Sequence, residues 1–163
     1  MKKETLNDFF AKYVEGTQEK AKVIDQKSLL CRLTVAVAQA IDIKESRRSV
    51  YITTRCLKHL FDKKPAEEFL FILNHLREIV RYPDKIYLNK DEKRGEFCFV
   101  KRIGNSEYFC SIENEKEETQ VATAFRLRDE KYIKKYTLLW DWGNGAPHRS
   151  ALDTPKESTN APQ

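Results

Sequence analysis

Pro65-Ala66-Glu67-Glu68-Phe69-Leu70-Phe71-Ile72-Leu73-Asn74-His75-Leu76-Arg77-Glu78-Ile79-Val80-Arg81-Tyr82-Pro83 is the stretch that decides the fold. A proline suits the first turn of a helix, where its missing N–H has no helical partner, and two glutamates then sit at the positive end of the helix dipole. Phe69, Ile72, Leu73, Leu76, Ile79 and Val80 recur at three- and four-residue spacing, so they share one side. Pro83 disfavours helical backbone at Tyr82 and closes the segment. The spacing predicts an amphipathic helix over residues 65–81 whose stripe needs an apolar surface to lie on.

That surface is expected from the residues that follow, where the rhythm changes from helical spacing to alternation. Ile86-Tyr87-Leu88 reads as a strand, Lys90–Gly95 as a turn and Glu96–Ile103 as a second strand, with Phe97 and Phe99 opposed to Cys98 and Val100. Gly104-Asn105 turns the chain into Tyr108–Glu113. A charged loop to Glu118 leads to Val121–Leu127, where Val121, Thr123, Phe125 and Leu127 are expected on one face. Residues 130–142 return to a helical stripe of Tyr132, Ile133, Tyr136, Leu139 and Trp140. From Gly143 onward there are three prolines and no aromatic residue, so a disordered tail is expected.

On the N-terminal side, Leu6, Phe9, Phe10, Tyr13 and Val14 mark a short helix over residues 3–15. Gly16 ends it, and Thr17 can cap the next. Residues 18–43 contain no glycine or proline and favour helix, although Leu33-Thr34-Val35-Ala36-Val37 also reads as a short strand. Lys44–Ser49 is a charged connector, and Val50-Tyr51-Ile52-Thr53 a strand. Thr53 or Thr54 then caps a short helix with Leu57, Leu60 and Phe61, which carries His59 close to a strand end. The expected class is α+β: N-terminal helices followed by a roughly four-stranded antiparallel sheet. One sheet face packs on the 65–81 stripe and the other is open to solvent. The expected organisation is a helical segment over 1–49, a sheet-bearing domain over 50–142 and a tail over 143–163.

Composition narrows the function classes. With 163 residues the chain holds one ordinary domain and a tail. Charged residues make up 34%, yet 2 Trp, 7 Tyr and 9 Phe argue against a wholly disordered chain. The net charge of +5 permits a polyanionic partner without requiring one. There is no glycine-rich phosphate loop, no apolar run long enough for a membrane span and no apolar signal core after Met1, so a cytoplasmic location is expected. Cys31, Cys56, Cys98 and Cys110 form no CxxC and read as small buried thiols, with Cys98 and Cys110 able to face each other in a hairpin. His59, His75 and His148 form no ligand cluster, so neither a metal nor a cofactor is expected.

The groups available for chemistry are His59, Lys101, Arg102, Thr123, Arg126, Tyr132 and Arg55. Metal-free cleavage of RNA needs a base for the 2′-hydroxyl, an acid for the leaving 5′-oxygen and cations or donors for the phosphorane. Histidine suits the proton transfers, lysine and arginine suit phosphate, and hydroxyls can donate. Types alone are cheap in a chain with 30 Lys and Arg. On composition, His59 is an ordinary helix histidine, His75 a structural one, Lys101 a solvated strand lysine and Thr123 a common strand residue. Trp140 and Trp142 read as packing residues.

From Val50 to Trp142 the chain resembles the phage-associated nuclease families of the barnase–EndoU–colicin–RelE (BECR) fold. The resemblance rests on Tyr51-Ile52-Thr53 before Leu57-Lys58-His59-Leu60, on Pro65-Ala66-Glu67-Glu68-Phe69 and on Arg81-Tyr82-Pro83-Asp84-Lys85-Ile86-Tyr87. It continues through Arg94-Gly95-Glu96-Phe97-Cys98-Phe99-Val100-Lys101, Val121-Ala122-Thr123-Ala124-Phe125-Arg126 and Leu138-Leu139-Trp140-Asp141-Trp142. It implies a metal-independent endoribonuclease, linked to a phage or mobile element as toxin or effector, that leaves a 2′,3′-cyclic phosphate. It also implies His59 as general acid or base, Lys101 on the phosphate, Thr123 hydrogen-bonded to substrate and Tyr132 at the margin. Arg55, Arg102 and Arg126 are the accompanying substrate-binding candidates. A second acid–base residue is missing from the motifs. The partners implied are RNA and a neutralising protein, with no membrane. The rival expectation is an inert RNA- or protein-binding module on the same fold. A third is an interaction protein that binds through the helices of residues 3–43.

Overall fold

The computed structural model describes residues 5–15, 25–89, 96–115 and 118–142. The readings of Gly16 and Thr17, of the Lys90–Gly95 turn and of the tail from Gly143 lie outside the described residues.

Helix α4 (Ala66–Arg81) follows Pro65, carries Glu67 and Glu68 in its first turn and buries Phe69, Ile72, Leu73, Leu76, Ile79 and Val80. This is the stripe read from the spacing. It lies on a sheet that is larger than expected and mixed. The strands are β1 (Lys27–Arg32), β2 (Ser49–Thr53), β3 (Lys85–Leu88), β4 (Phe97–Ile103), β5 (Ser106–Glu115), β6 (Glu118–Leu127) and β7 (Thr137–Asp141). Among the described residues they form one seven-stranded sheet, ordered β1-β2-β6-β5-β4-β3-β7. The antiparallel meander β3 to β6 is the part the alternation predicted. Two additions enlarge it: the β1–β2 pair joins through parallel β2–β6 pairing, and β7 joins the far edge beside β3.

Each departure from expectation has a local cause. Within 18–43, Lys27–Arg32 forms the edge strand β1, and helix α2 (Val35–Ala40) is confined to the segment behind Thr34, whose hydroxyl caps it at Val37 N. The helix expected over 130–142 shrinks to one turn, α5 (Lys131–Lys134). Thr137 to Asp141 instead extend along the open edge of β3, where Ile86 faces Trp140 and Leu88 faces Thr137. Pairing gives those residues ladder hydrogen bonds, and half-buried places for Leu139 and Trp140 against the core. The acidic run Glu113–Glu118 is largely strand, because β5 and β6 stay in register out to Glu115 and Glu118.

The remaining expected elements form. Helix α1 (Leu6–Tyr13) starts with a reciprocal capping box between Thr5 and Asp8 and buries Phe9 and Phe10. Thr53 ends β2 and caps helix α3 (Thr54–Lys63) by accepting from Cys56 N at 3.1 Å. Helices α1, α3 and α4 share one core with Ile52, Ile86, Phe99, Cys110, Ile112, Val121 and Ala124 of the sheet. A smaller cluster occupies the other side of the sheet: Tyr87, Cys98, Val100, Phe109 and Leu127, with Phe125, Tyr132, Ile133 and Tyr136 packed against them.

A bulge in β6 corrects the alternation read for that strand. Ser111 faces Thr123, but the next residue, Ile112, faces Val121, so Ala122 is extra. Val121 therefore points to the helical side, whereas Phe125 and Leu127 point outward. Cys98 and Cys110 do not oppose each other either. Cys98 faces Ser111, Cys110 faces Phe99, and the two thiols lie in different clusters. None of the four cysteines, all among the described residues, is in a disulfide. Burial pushes the Cys31 and Cys98 thiols up to about 12 and Cys110 well above its usual range, so these three are packing residues rather than nucleophiles. No helix among the described residues is long and apolar enough to cross a membrane.

Candidate functional site on the outer sheet face

The outer face is only partly covered. One turn of α5 lays Tyr132 edge-on against Phe109 and Phe125, with ring centroids 5.5 and 5.1 Å away, while Tyr136 flanks them. Beside this aromatic patch the strands leave a groove of about 960 Å³. Tyr87 and Arg102 from β3 and β4, Lys85 and Glu107 from β3 and β5, and Glu130 and Lys134 around α5 line it. Strand pairing fixes the centre of this set, because Arg102 and Glu107 are direct partners across the β4–β5 ladder. Asp84 steadies the neighbouring backbone by accepting from Arg102 N at 2.7 Å. Burial, and then the negative charges of Glu107, Asp141 and Glu130, hold the Tyr87 phenol above its ordinary value. It therefore stays a proton donor at neutral pH.

A groove with three carboxylates, three cations and a protonated phenol can accept a proton, donate one and stabilise an anionic oxygen. Among the described residues no cluster of three or more His, Cys, Asp or Glu is gathered to hold a metal ion.

The candidates read from the sequence fall in three places. Arg102, Thr123 and Tyr132 belong to the outer side: Arg102 lines the groove, Tyr132 packs in the aromatic patch beside it, and Thr123 stands in the same row as Phe125, buried at 7% exposure. Lys101 alternates to the helical side. Its ammonium donates to Tyr82 O at 2.7 Å, just past the end of α4, and Asp84 Oδ1 lies 4.0 Å away. Lys101 and Thr123 thus point to opposite faces of the sheet. Arg126 also alternates to the helical side and is exposed at the end of β6.

His59 and Arg55 ride on α3. Arg55 is exposed and His59 half-buried. Cys56 Sγ lies 3.8 Å from Ala122 O, so this flank of α3 runs beside the bulge of β6. His59 follows one turn later on the same flank. Through Cys56, α3 thus touches β6 at Ala122, the neighbour of Thr123, while Lys101 points to the helical side. His75 has a structural setting, stacked on Phe71 at 4.0 Å with Nδ1 2.8 Å from Phe71 O.

Several groups escaped the sequence reading. Tyr87, Glu107 and Glu130 were hidden because an isolated tyrosine or glutamate on a strand or turn carries no motif. Lys58 is 2% exposed, with its ammonium 3.0 Å from Asp62 and its cation over the Phe61 ring. Its i, i+4 spacing to Asp62 was the visible signal. Lys64 stands over the Phe125 ring at 5.4 Å, and burial holds its ammonium below the ordinary lysine value.

No curated protein and no solved structure matches this chain. A family model does: the phage-Barnase-EndoU-ColicinE5/D-RelE like nuclease3 family, over residues 31–134. The match covers more than half of the chain. It begins at the end of β1, takes in the whole meander, and ends on α5, with the aromatic patch and the lining of the outer groove inside it except for Tyr136. By that match the chain belongs to the phage-Barnase-EndoU-ColicinE5/D-RelE like nuclease family 3.

Proposed function

We propose that the outer groove cleaves RNA without a metal, by attack of a 2′-hydroxyl on the neighbouring phosphate. One observation carries this reading: in a member of a nuclease family, the open sheet face holds a groove in which a strand-borne carboxylate, cations and a protonated phenol converge. Glu107, fixed on β5 opposite Arg102, takes the 2′-hydroxyl proton as the new O2′–P bond forms. Arg102, Lys85 and Lys134 meet the charge on the phosphorane oxygens. The Tyr87 phenol donates toward the departing 5′-oxygen as the P–O5′ bond breaks. The products are a 2′,3′-cyclic phosphate and a 5′-hydroxyl. Thr123 and Tyr132 border the path of the bases.

The Cys56–Ala122 contact favours a second placement of the same chemistry, at the α3 end of the face, with His59 as the acid–base group beside Thr123. In either placement the protein acts in the cytoplasm as a toxin or effector of a mobile element, held in check by a neutralising partner.

The test is end-labelled RNA incubated with the full chain in EDTA. The expected result is fragments with 2′,3′-cyclic phosphate ends, and no cutting where the attacking 2′-hydroxyl is replaced by hydrogen. RNA bound but left whole, at every pH from mildly acidic to mildly basic, would establish the inert binding module instead.

A further inference from the structure

The outer groove does not stop at the rim of the sheet. A shallower concavity of about 350 Å³ lies at the open end of the β4–β5 hairpin. It shares Arg102, Glu107 and Glu130 with the groove, and adds Ser106, Arg126 and Arg128. We propose that this concavity is a second phosphate subsite, so that an RNA strand leaving the groove passes over the hairpin end and is held by Arg102 and Arg126 together. The proposal deepens the reading of the groove as an RNA-cleaving site and rests on it.

Two of the three arginines in the concavity reach it from opposite sides of the sheet. Arg102 alternates with Val100 on the outer face, and Arg126 alternates with Phe125 and Leu127, so it starts on the helical face. One strand lies between them, which sets their backbones about 10 Å apart, two strand spacings. Both are exposed. Their chain path is held firmly. The Arg126 amide donates to Glu68 Oε2 at 3.1 Å, and the Arg128 guanidinium is paired with the other oxygen of Glu68, itself buried at the start of α4. Gly104, at φ 65°, turns the hairpin within two residues, so the end of the ladder stays low. A guanidinium fork matches phosphate oxygens bidentately, which suits a charge that must be gripped and released at a rim. Glu107 and Glu130 line both spaces, so the cationic contact with the anionic backbone falls to the arginines.

The test compares a dinucleoside monophosphate, which has one linkage, with an octaribonucleotide. In the wild type kcat/KM is higher for the octamer, and Arg126→Gln lowers the octamer-to-dinucleotide ratio about tenfold. In parallel, fluorescence anisotropy follows an octamer made wholly of 2′-deoxy residues as salt is raised. Loss of one phosphate contact makes the slope of log K against log salt shallower by about 0.7 in Arg126→Gln, while Arg126→Lys, which keeps the charge, retains the slope. An unmoved ratio, or an unmoved slope, overturns the subsite. If the wild type cuts neither ribonucleotide, the cleavage reading fails by itself, and the slope alone decides the subsite.

Discussion

The helical face and the outer face of the sheet are built from the same strands, one residue apart, yet they do different work. Toward the helices, 25 buried residues among those described, drawn from four helices, six strands and the turns between them, join in one core. On the outside, five buried residues and a collar of aromatic rings make a patch around α5. The polar groups differ as well. On the helical side they are tied to backbone: Lys101 to Tyr82 O, and Glu68 to Arg126 N. On the outer side Lys85, Arg102, Glu107 and Lys134 open onto a groove. Stability is concentrated on one face, which leaves the other able to carry side chains chosen for chemistry.

The sharpest way to break this division is to remove one proton acceptor from the outer face. Glu107→Gln is expected to lower RNA cleavage about 10²–10⁴-fold, the worth of a general acid–base group. Its thermal melt should move little, because substitutions away from the core cost within about 0.5 kcal/mol. Set beside it, His59→Ala tells the two ends of the face apart: the larger loss marks the end where the proton moves.

The converse change is Leu76→Ala, at a side chain with no exposure in the centre of α4. It is expected to cost about 2–5 kcal/mol in chemical denaturation, while cleavage per folded molecule is kept in the cold. Unchanged stability would show that this face is not the core.

Glu68 sharpens the comparison through pH. Burial pushes its carboxyl up, but the Arg128 guanidinium, the Arg126 amide and the Lys64 charge together hold it below the usual carboxylate range. A lowered folded-state value means stability that is present above the unfolded value of about 4.3 and lost as pH falls through the folded value. Glu68→Gln should therefore be less stable than wild type by about 1–2 kcal/mol at pH 7, the scale of a charge-assisted hydrogen bond. Urea titrations from pH 7 down to pH 3 should show that gap closing in acid. A constant gap would mean that the charge of Glu68 contributes nothing.

The smallest effect concerns Lys101. Lys101→Met keeps the length and removes the bond to Tyr82 O, at about 1 kcal/mol. A cleavage loss beyond tenfold in that variant would restore the phosphate role that the family resemblance implies for it.

Periodicity made half of this division legible. The stripe of α4 and the alternation of β4 each answer to a strong local pattern, and both were readable. The bulge at Ala122 was not, because one extra residue leaves no mark on composition while it exchanges the sides of everything before it. β1 and β7 were hidden for a related reason. Lys27–Arg32 and Thr137–Asp141 are short segments whose extended form is decided by an open strand edge far away in sequence. At the site, arginines and a histidine drew notice by type. Tyr87, Glu107 and Glu130 become candidates only once the ladder sets a tyrosine and glutamates from separate strands and a turn around one space.

The parallel seam between β2 and β6 has a kinetic consequence. It consists of two register pairs, Val50 with Thr119 and Tyr51 with Gln120. The ladder from β3 to β6 and the β1–β2 ladder join strands close in sequence, and these can close early. The seam must wait for a loop of more than sixty residues to come together. Helix α4, in between, packs on both β1 and the β4–β6 meander, so side chains rather than ladder bonds hold the two parts in step. Amide exchange should accordingly be faster at the seam than within the β5–β6 ladder. The two parts would then separate along it before either one melts.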